Sequence, residues 1–201
     1  MMPTSTAPRP RRIALFGGSF DPPHLGHLEI ARAAYQQANL DGVIFLPCAI
    51  SPHKSDTPPT SGEHRLAMLE QLTTDSPWAS VSDLDLKLPP PSLTWRTVEH
   101  IKTTDTQETQ LFWILGADQW NQLHRWAEPE RLRESLHFLV FPRDGEMLET
   151  RVNWTSTTLQ ANHPASSSEI RRAIHSGRWD EISPWLPDVV VRYIQSNDLY
   201  L

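Results

Sequence analysis

Cysteine is the first shortage. Cys48 is the only one among 201 residues, so no disulfide forms within the chain and no cysteine-built zinc site is available. That usage suits a reducing compartment, and Cys48 itself reads as a small apolar residue closing a buried run, VIFLPCAI. Long apolar runs are missing too: nothing approaches the roughly 20 residues that cross a bilayer. Positive charge is in deficit, with 18 Lys and Arg against 24 Asp and Glu and a net charge of −6. A general basic surface for nucleic acid is thereby excluded, whereas a compact basic pocket for a small anion is not. The opening MMPTSTAPRPRR has no apolar stretch of the kind a secretory signal carries. The expectation is a disordered tail over residues 1–10, a cytoplasmic protein, and neither nucleic acid nor membrane as a partner. Internal repeats are absent as well, and nothing in the sequence sets the oligomeric state.

Proline (18) and tryptophan (8) are abundant instead. The prolines gather in SPHKSDTPPTSGE (51–63) and KLPPPS (87–92), which read as loops rather than domain linkers because periodic apolar segments resume within a few residues. Residues 11–201 are long enough for one good core and are expected to form a single domain. Strands are predicted at 11–16, 42–49, 79–86, 110–116 and 137–141. Helices are predicted at 28–40, 64–72, 93–102, 166–177 and 186–200, with short helical pieces up to about 135. Strands alternating with helices, several of them apolar throughout, predict a doubly wound, mostly parallel α/β sheet with a small C-terminal helical part. In such sheets ligands bind beyond the carboxyl ends of the strands.

One segment stands at such an end. GGSFDPPHLGH (17–27) follows the apolar IALF and makes a poor helix and a poor strand. Gly17 and Gly18 permit close approach of a ligand to the main chain. Asp21-Pro22-Pro23 enforces a turn, and His24 and His27, three apart, can share one face of the first turn of a helix that starts around Pro23 to Leu25. A helix N-terminus offers N–H groups and a positive dipole end to phosphate, and two imidazoles add donors. Read alone, the histidines are equally compatible with surface or capping roles, or with a metal site short of a third ligand. The spacing fits neither GxGxxG nor GxxxxGK[ST].

Taken whole, ALFGGSFDPPHLGH resembles the signature of the His-x-Gly-His nucleotidyltransferases. Further segments resemble the nicotinate mononucleotide adenylyltransferase family within it: PHK (52–54) with Arg65 and Met68, PPSLT (90–94), LGADQWNQLHRW (115–126), FLVFPRDG (138–145), SSSEIRRAI (166–174) and VVRYIQSNDLY (190–200). They occur in the family's order and cover residues 12 to 200. The resemblance implies a Rossmann-like nucleotidyltransferase fold and transfer of the adenylyl group of ATP to nicotinate mononucleotide, giving deamido-NAD and pyrophosphate.

On that resemblance His24, His27 and Arg171 carry the catalysis. Gly17, Gly18, Ser19, Phe20, Lys54, Ser166, Ser167 and Ser168 bind ATP phosphates. Gly116 and Asp118 face the ribose and adenine, while Thr94 and Trp126 face the nicotinate. Mg²⁺ arrives with ATP and needs no ligand from a protein side chain. Bland readings stand beside several of these. Lys54 also reads as a solvated lysine, Asp118 as a helix N-cap, Trp126 as structural, and SSSEIRR as an ordinary serine cap followed by a solvated arginine. The chain departs from the family pattern at Leu93, where the family has Tyr, at Arg96, where an acid or amide is usual, and at Ser168, where Thr is usual and the change is small. Arg96 could favour a carboxylate near the pyridine ring or point to solvent. The alternatives are a preference for nicotinamide mononucleotide, or a non-catalytic nucleotide-binding regulator on the same fold.

Overall fold

The computed structural model describes residues 9–50, 59–142, 147–161 and 163–201. Its centre is a six-stranded sheet in the order β3-β2-β1-β4-β5-β6, every neighbouring pair parallel. The strands are β1 (Arg11–Gly18), β2 (Gly42–Pro47), β3 (Ala79–Val81), β4 (Thr109–Gly116), β5 (His137–Phe141) and β6 (Ser156–Thr158). The helices are α1 (Leu25–Gln37), α2 (Gly62–Thr73), α3 (Leu84–Lys87), α4 (Thr94–Thr104), α5 (Ala117–Asn121), α6 (Pro129–Ser135), α7 (Ser167–His175), α8 (Trp179–Ile182) and α9 (Asp188–Ser196).

Apolar strands buried on both faces explain the double winding. Within β1, Ala14 and Phe16 face one side, where they join Val43, Phe45, Phe112 and Leu139 under α1, α2, α7 and α9. Ile13 and Leu15 face the other side, with Leu111, Trp113, Phe138 and Val140 under α4, α5 and α6. Phe45, Phe112 and Phe138 are wholly buried, each contributing on the order of 1.5–3 kcal/mol relative to exposure. Trp120, to which the sequence assigned no task, packs against Phe138 and Trp154 and donates Nε1–H to the Glu149 carbonyl at 2.8 Å. It is a core residue.

Two expectations shift. The strand expected over 79–86 stops at Val81, because Leu84 begins a helical turn in which Leu86, Lys87 and Leu88 donate back to Asp83 and Leu84. β6 lies in a stretch that reads as irregular; Ser156, Thr157 and Thr158 are all exposed at the sheet edge, so no apolar alternation marks them. Among the described residues no helix is long and apolar enough to cross a membrane.

The order 3-2-1-4-5-6 places the reversal of strand order between β1 and β4. That switch point, at the carboxyl ends of the strands, is the location where open α/β sheets take ligands.

Candidate active site

β1 delivers Gly17 and Gly18 to that end of the sheet. Neither glycine needs a left-handed backbone; Phe20, at φ 50, supplies it. What Gly17 requires is room, since a Cβ there would stand 2.7 Å from Trp113 Cζ2. The Phe20 ring turns inward, edge-on to Phe16 (5.4 Å) and to His27 (4.9 Å). It forms an apolar floor beneath the second histidine.

The chain then turns through Asp21-Pro22-Pro23, and His24 is the N-cap of α1 in extended conformation. The His24 N–H donates to His27 Nδ1 at 3.2 Å, and the two rings lie 3.7 Å apart. An acceptor Nδ1 places the proton of a neutral His27 on Nε2, so that nitrogen is a donor. The first turn of α1 contains no acid, so its positive dipole end is not offset locally. Gly26 is buried: a Cβ there would stand 3.0 Å from His24 Nδ1 and 2.9 Å from His163 Nδ1.

α7 is docked onto the same turn from 145 and 150 residues away. Ser167 Oγ–H donates to the Pro22 carbonyl at 2.9 Å. Arg171 Nη1 donates to the Asp21 carbonyl at 2.5 Å and lies 3.8 Å from the Asp21 carboxylate. Its side chain stays 39% exposed, so the guanidinium keeps N–H groups facing outward. Ser166 is the N-cap of α7 and Ser168 Oγ accepts from Arg171 Nη2 at 3.5 Å. Two helix N-termini thus converge on one turn.

Three residues that hold this arrangement escape the sequence reading. Asp21, buried, accepts the Tyr200 hydroxyl at 2.8 Å and the Thr60 N–H at 3.3 Å on Oδ1. Burial raises the Tyr200 phenol well above its ordinary range, which keeps it a neutral donor. Arg65, 1% exposed, donates to the carbonyls of Ser19 (2.8 Å) and Thr60 (2.7 Å), fixing the main chain that leaves β1. Sequence flagged Arg65 only by resemblance and Asp21 only as a turn former. A tyrosine after the last helix carries no local signal of a contact across 179 residues.

The remaining candidates line the same end of the sheet. Gly116 closes β4 and is the N-cap of α5, so Asp118 occupies the first turn rather than the cap. A side chain at Gly116 would displace the Asp118 carboxylate, because its Cβ would meet Asp118 Oδ1 at 2.5 Å. Trp126 is half-buried and edge-on to Trp113 at 6.4 Å. Thr94 opens α4; the loop before it is tied to the end of β2 by the Ala49 N–H donating to Ser92 Oγ at 3.0 Å. Arg96 donates to the Pro89 carbonyl at 3.2 Å and lies over the Trp95 ring, which engages its guanidinium locally. Lys54 lies outside the described residues, as do His53 and the Arg143–Gly145 part of the FLVFPRDG segment. Cys48 is buried and burial pushes its thiol up, which argues against a nucleophilic role.

Two histidines at one helix start, with serines and an arginine at another, meet at the carboxyl end of a parallel α/β sheet, an arrangement suited to phosphate groups. Residues 15–173 match the cytidylyltransferase-like family. The protein named "Probable nicotinate-nucleotide adenylyltransferase" in Neisseria meningitidis serogroup C is 35% identical over 203 residues, covering 94% of this chain and 98% of its own. Its counterpart of the same name in Thermus thermophilus is 36% identical over 189 residues, covering 94% and 99%. Among solved structures, Plasmodium falciparum nicotinic acid mononucleotide adenylyltransferase complexed with NaAD superposes with a TM-score of 0.76 at 19% identity, covering 94% of this chain and 97% of that one. A second structure of that protein, complexed with APC, gives 0.73 at 19% identity with the same coverage. The chain belongs to the cytidylyltransferase-like family and, within it, to the nicotinate-nucleotide adenylyltransferases.

Proposed function

We propose that the chain transfers the adenylyl group of ATP to nicotinate mononucleotide, releasing pyrophosphate and forming deamido-NAD. The observation that carries this reading is the pair of bonds from α7 to the Asp21-Pro22 turn. They bring the N-termini of α1 and α7 to one place, where a triphosphate can be held along its length.

The mononucleotide phosphate is already an anion, so attack on the α-phosphorus needs neither a protein nucleophile nor a strong base. The protein's work is to align the two phosphates and to stabilise charge that grows as pyrophosphate leaves. Nε2–H of His27 and the His24 ring meet the oxygens around the α- and β-phosphorus. The hydroxyls and N–H groups of Ser166, Ser167 and Ser168, with Arg171, hold the β- and γ-phosphates that depart. Gly17, Gly18, Ser19 and Phe20 shape the main-chain cradle, which Arg65 holds from behind. Asp118 beyond Gly116 accepts from a ribose hydroxyl. Lys54 supplies a further cation to the phosphates.

Thr94 and Trp126 receive the nicotinate. With Arg96 engaged by Pro89, the carboxylate falls to the N-terminus of α4, whose first turn holds no acid. This favours nicotinate over nicotinamide mononucleotide.

Among the described residues no cluster of three or more His, Cys, Asp or Glu is placed to hold a metal, and Asp21 is engaged by Tyr200, Thr60 and Arg171. A Mg²⁺ entering on the phosphates of ATP would neutralise charge on the leaving pyrophosphate. Residues 11–201 act as one domain in a cytoplasmic setting.

Incubating the protein with ATP, Mg²⁺ and each mononucleotide separately, while following pyrophosphate, tests the reading. Release with nicotinate mononucleotide is expected. No release with any mononucleotide favours a non-catalytic regulator, and faster turnover of the amide form overturns the substrate choice.

A further inference from the structure

A third imidazole stands beside the pair. His163 lies in the loop between β6 and α7, half-buried, its ring 6.4 Å from that of His24 and only 25° from parallel. It sits on Gly26: a Cβ added there would meet His163 Nδ1 at 2.9 Å and Cγ at 3.0 Å. The two ends of its loop are fixed. Gln160 exchanges main-chain bonds with the Gln37 side chain on α1 (2.9 and 3.0 Å), and Ser167 is bound to Pro22. The ring therefore keeps its place against the first turn of α1.

Its protonation pattern repeats that of His27. The Ala165 N–H donates to His163 Nδ1 at 3.0 Å, just as the His24 N–H donates to His27 Nδ1. In a neutral ring this places the proton on Nε2. Asn or Asp would serve the same loop bond equally well; the histidine adds a second ring nitrogen, the donor Nε2. Ala165 adjoins Ser166, the N-cap of α7, and the ring lies against Gly26 in the first turn of α1, so His163 belongs to both helix starts.

We infer that His163 is a further phosphate-contacting residue, donating from Nε2 to the triphosphate of the bound nucleotide beside His24 and His27. The inference deepens the adenylyl-transfer reading and rests on it. It assigns the imidazole to the polyphosphate, not to the base.

Three variants separate the possibilities, with calorimetric affinities for Mg²⁺-ATP and for Mg²⁺-pyrophosphate as readouts. His163→Ala is expected to weaken both by about tenfold, the scale of one hydrogen bond to a charged acceptor. His163→Gln, whose amide N–H reaches near the Nε2 position, restores most of the loss, whereas His163→Phe does not. The inference is overturned if His163→Ala leaves both affinities within about twofold. It is equally overturned if ATP weakens without pyrophosphate, or if Phe restores binding and Gln does not, since the ring would then be packing on the base. Neither affinity depends on turnover. A wild-type protein that releases no pyrophosphate with any mononucleotide contradicts the proposed reaction, and the three variants still decide the role of His163.

Discussion

Arg171 and Asp21 are 150 residues apart in sequence, yet the Arg171 guanidinium donates to the Asp21 carbonyl at 2.5 Å with the Asp21 carboxylate 3.8 Å away. One face of the fork is thus committed to the turn that starts α1, and the partly exposed side chain leaves its remaining N–H groups accessible. Lysine carries a similar charge but presents no fork. Arg171→Lys is expected to lower kcat/KM for ATP by about tenfold or more while leaving KM for the mononucleotide nearly unchanged. Steady-state kinetics with each substrate varied in turn checks this.

The same carboxylate anchors the end of the chain. Tyr200→Phe removes the hydroxyl that donates to Asp21 Oδ1 and leaves the Thr60 N–H on that oxygen. Losing one bond to a buried charged acceptor costs about 1–3 kcal/mol. For a chain of this size each kcal/mol lowers Tm by about 2–4 °C. Calorimetric melting reads the shift, and an unchanged Tm would show that the C-terminus is not fastened there.

Gly17 is small because Trp113 fills the space above it. Gly17→Ala places a methyl 2.7 Å from Cζ2 of a ring that is 5% exposed. Overpacking of this kind costs about 1–3 kcal/mol. Chemical denaturation measures it, and Trp113→Phe in the same background should recover part of the loss.

Asp85 gives a pH signature. Its carboxyl is 4% exposed and accepts the Thr97 hydroxyl at 2.6 Å, and burial pushes its pKa above the usual carboxylate value. A raised folded pKa means that the folded state holds the proton longer than the unfolded chain does. Stability from this group is therefore complete below the unfolded pKa near 3.8 and is lost as pH rises through the higher folded value. Asp85→Asn keeps an acceptor for Thr97 and removes the titration. Its Tm is expected to fall less than that of the wild type between about pH 4 and neutrality, as melting across a pH series will show.

His24 caps α1, and its main-chain N–H orients His27. His24→Ala keeps that main-chain bond and deletes the ring that the proposed reaction uses as a donor to the phosphates. A rate at least about a hundredfold lower is expected, the scale of losing one transition-state donor. Single-turnover pyrophosphate release isolates the chemical step.

Much of this was legible in the sequence because it is local. The apolar runs that become β1, β2, β4 and β5 declare strands buried on both faces, and GGSFDPPHLGH and SSSEIRR each declare a helix start. What joins them is not local. Asp21 reads as a turn former until Tyr200 and Arg171 arrive from the far end of the chain. Arg65 enters the sequence reading only through resemblance, and its guanidinium proves to close on two main-chain carbonyls. β6 has no apolar alternation, since an exposed edge strand of Ser and Thr needs none. Gly26 carries no local sign that a third imidazole is seated on it.

The central claim is direct transfer by positioning, with no covalent stage on the protein. Stereochemistry at the transferred phosphorus tests it most directly: chiral ATP bearing sulfur on the α-phosphorus is converted with nicotinate mononucleotide, and the configuration of the dinucleotide is read by phosphorus NMR. A single in-line attack inverts the centre, and inversion is the expected result. Retention would mean two successive displacements through an adenylylated side chain, and would contradict the account.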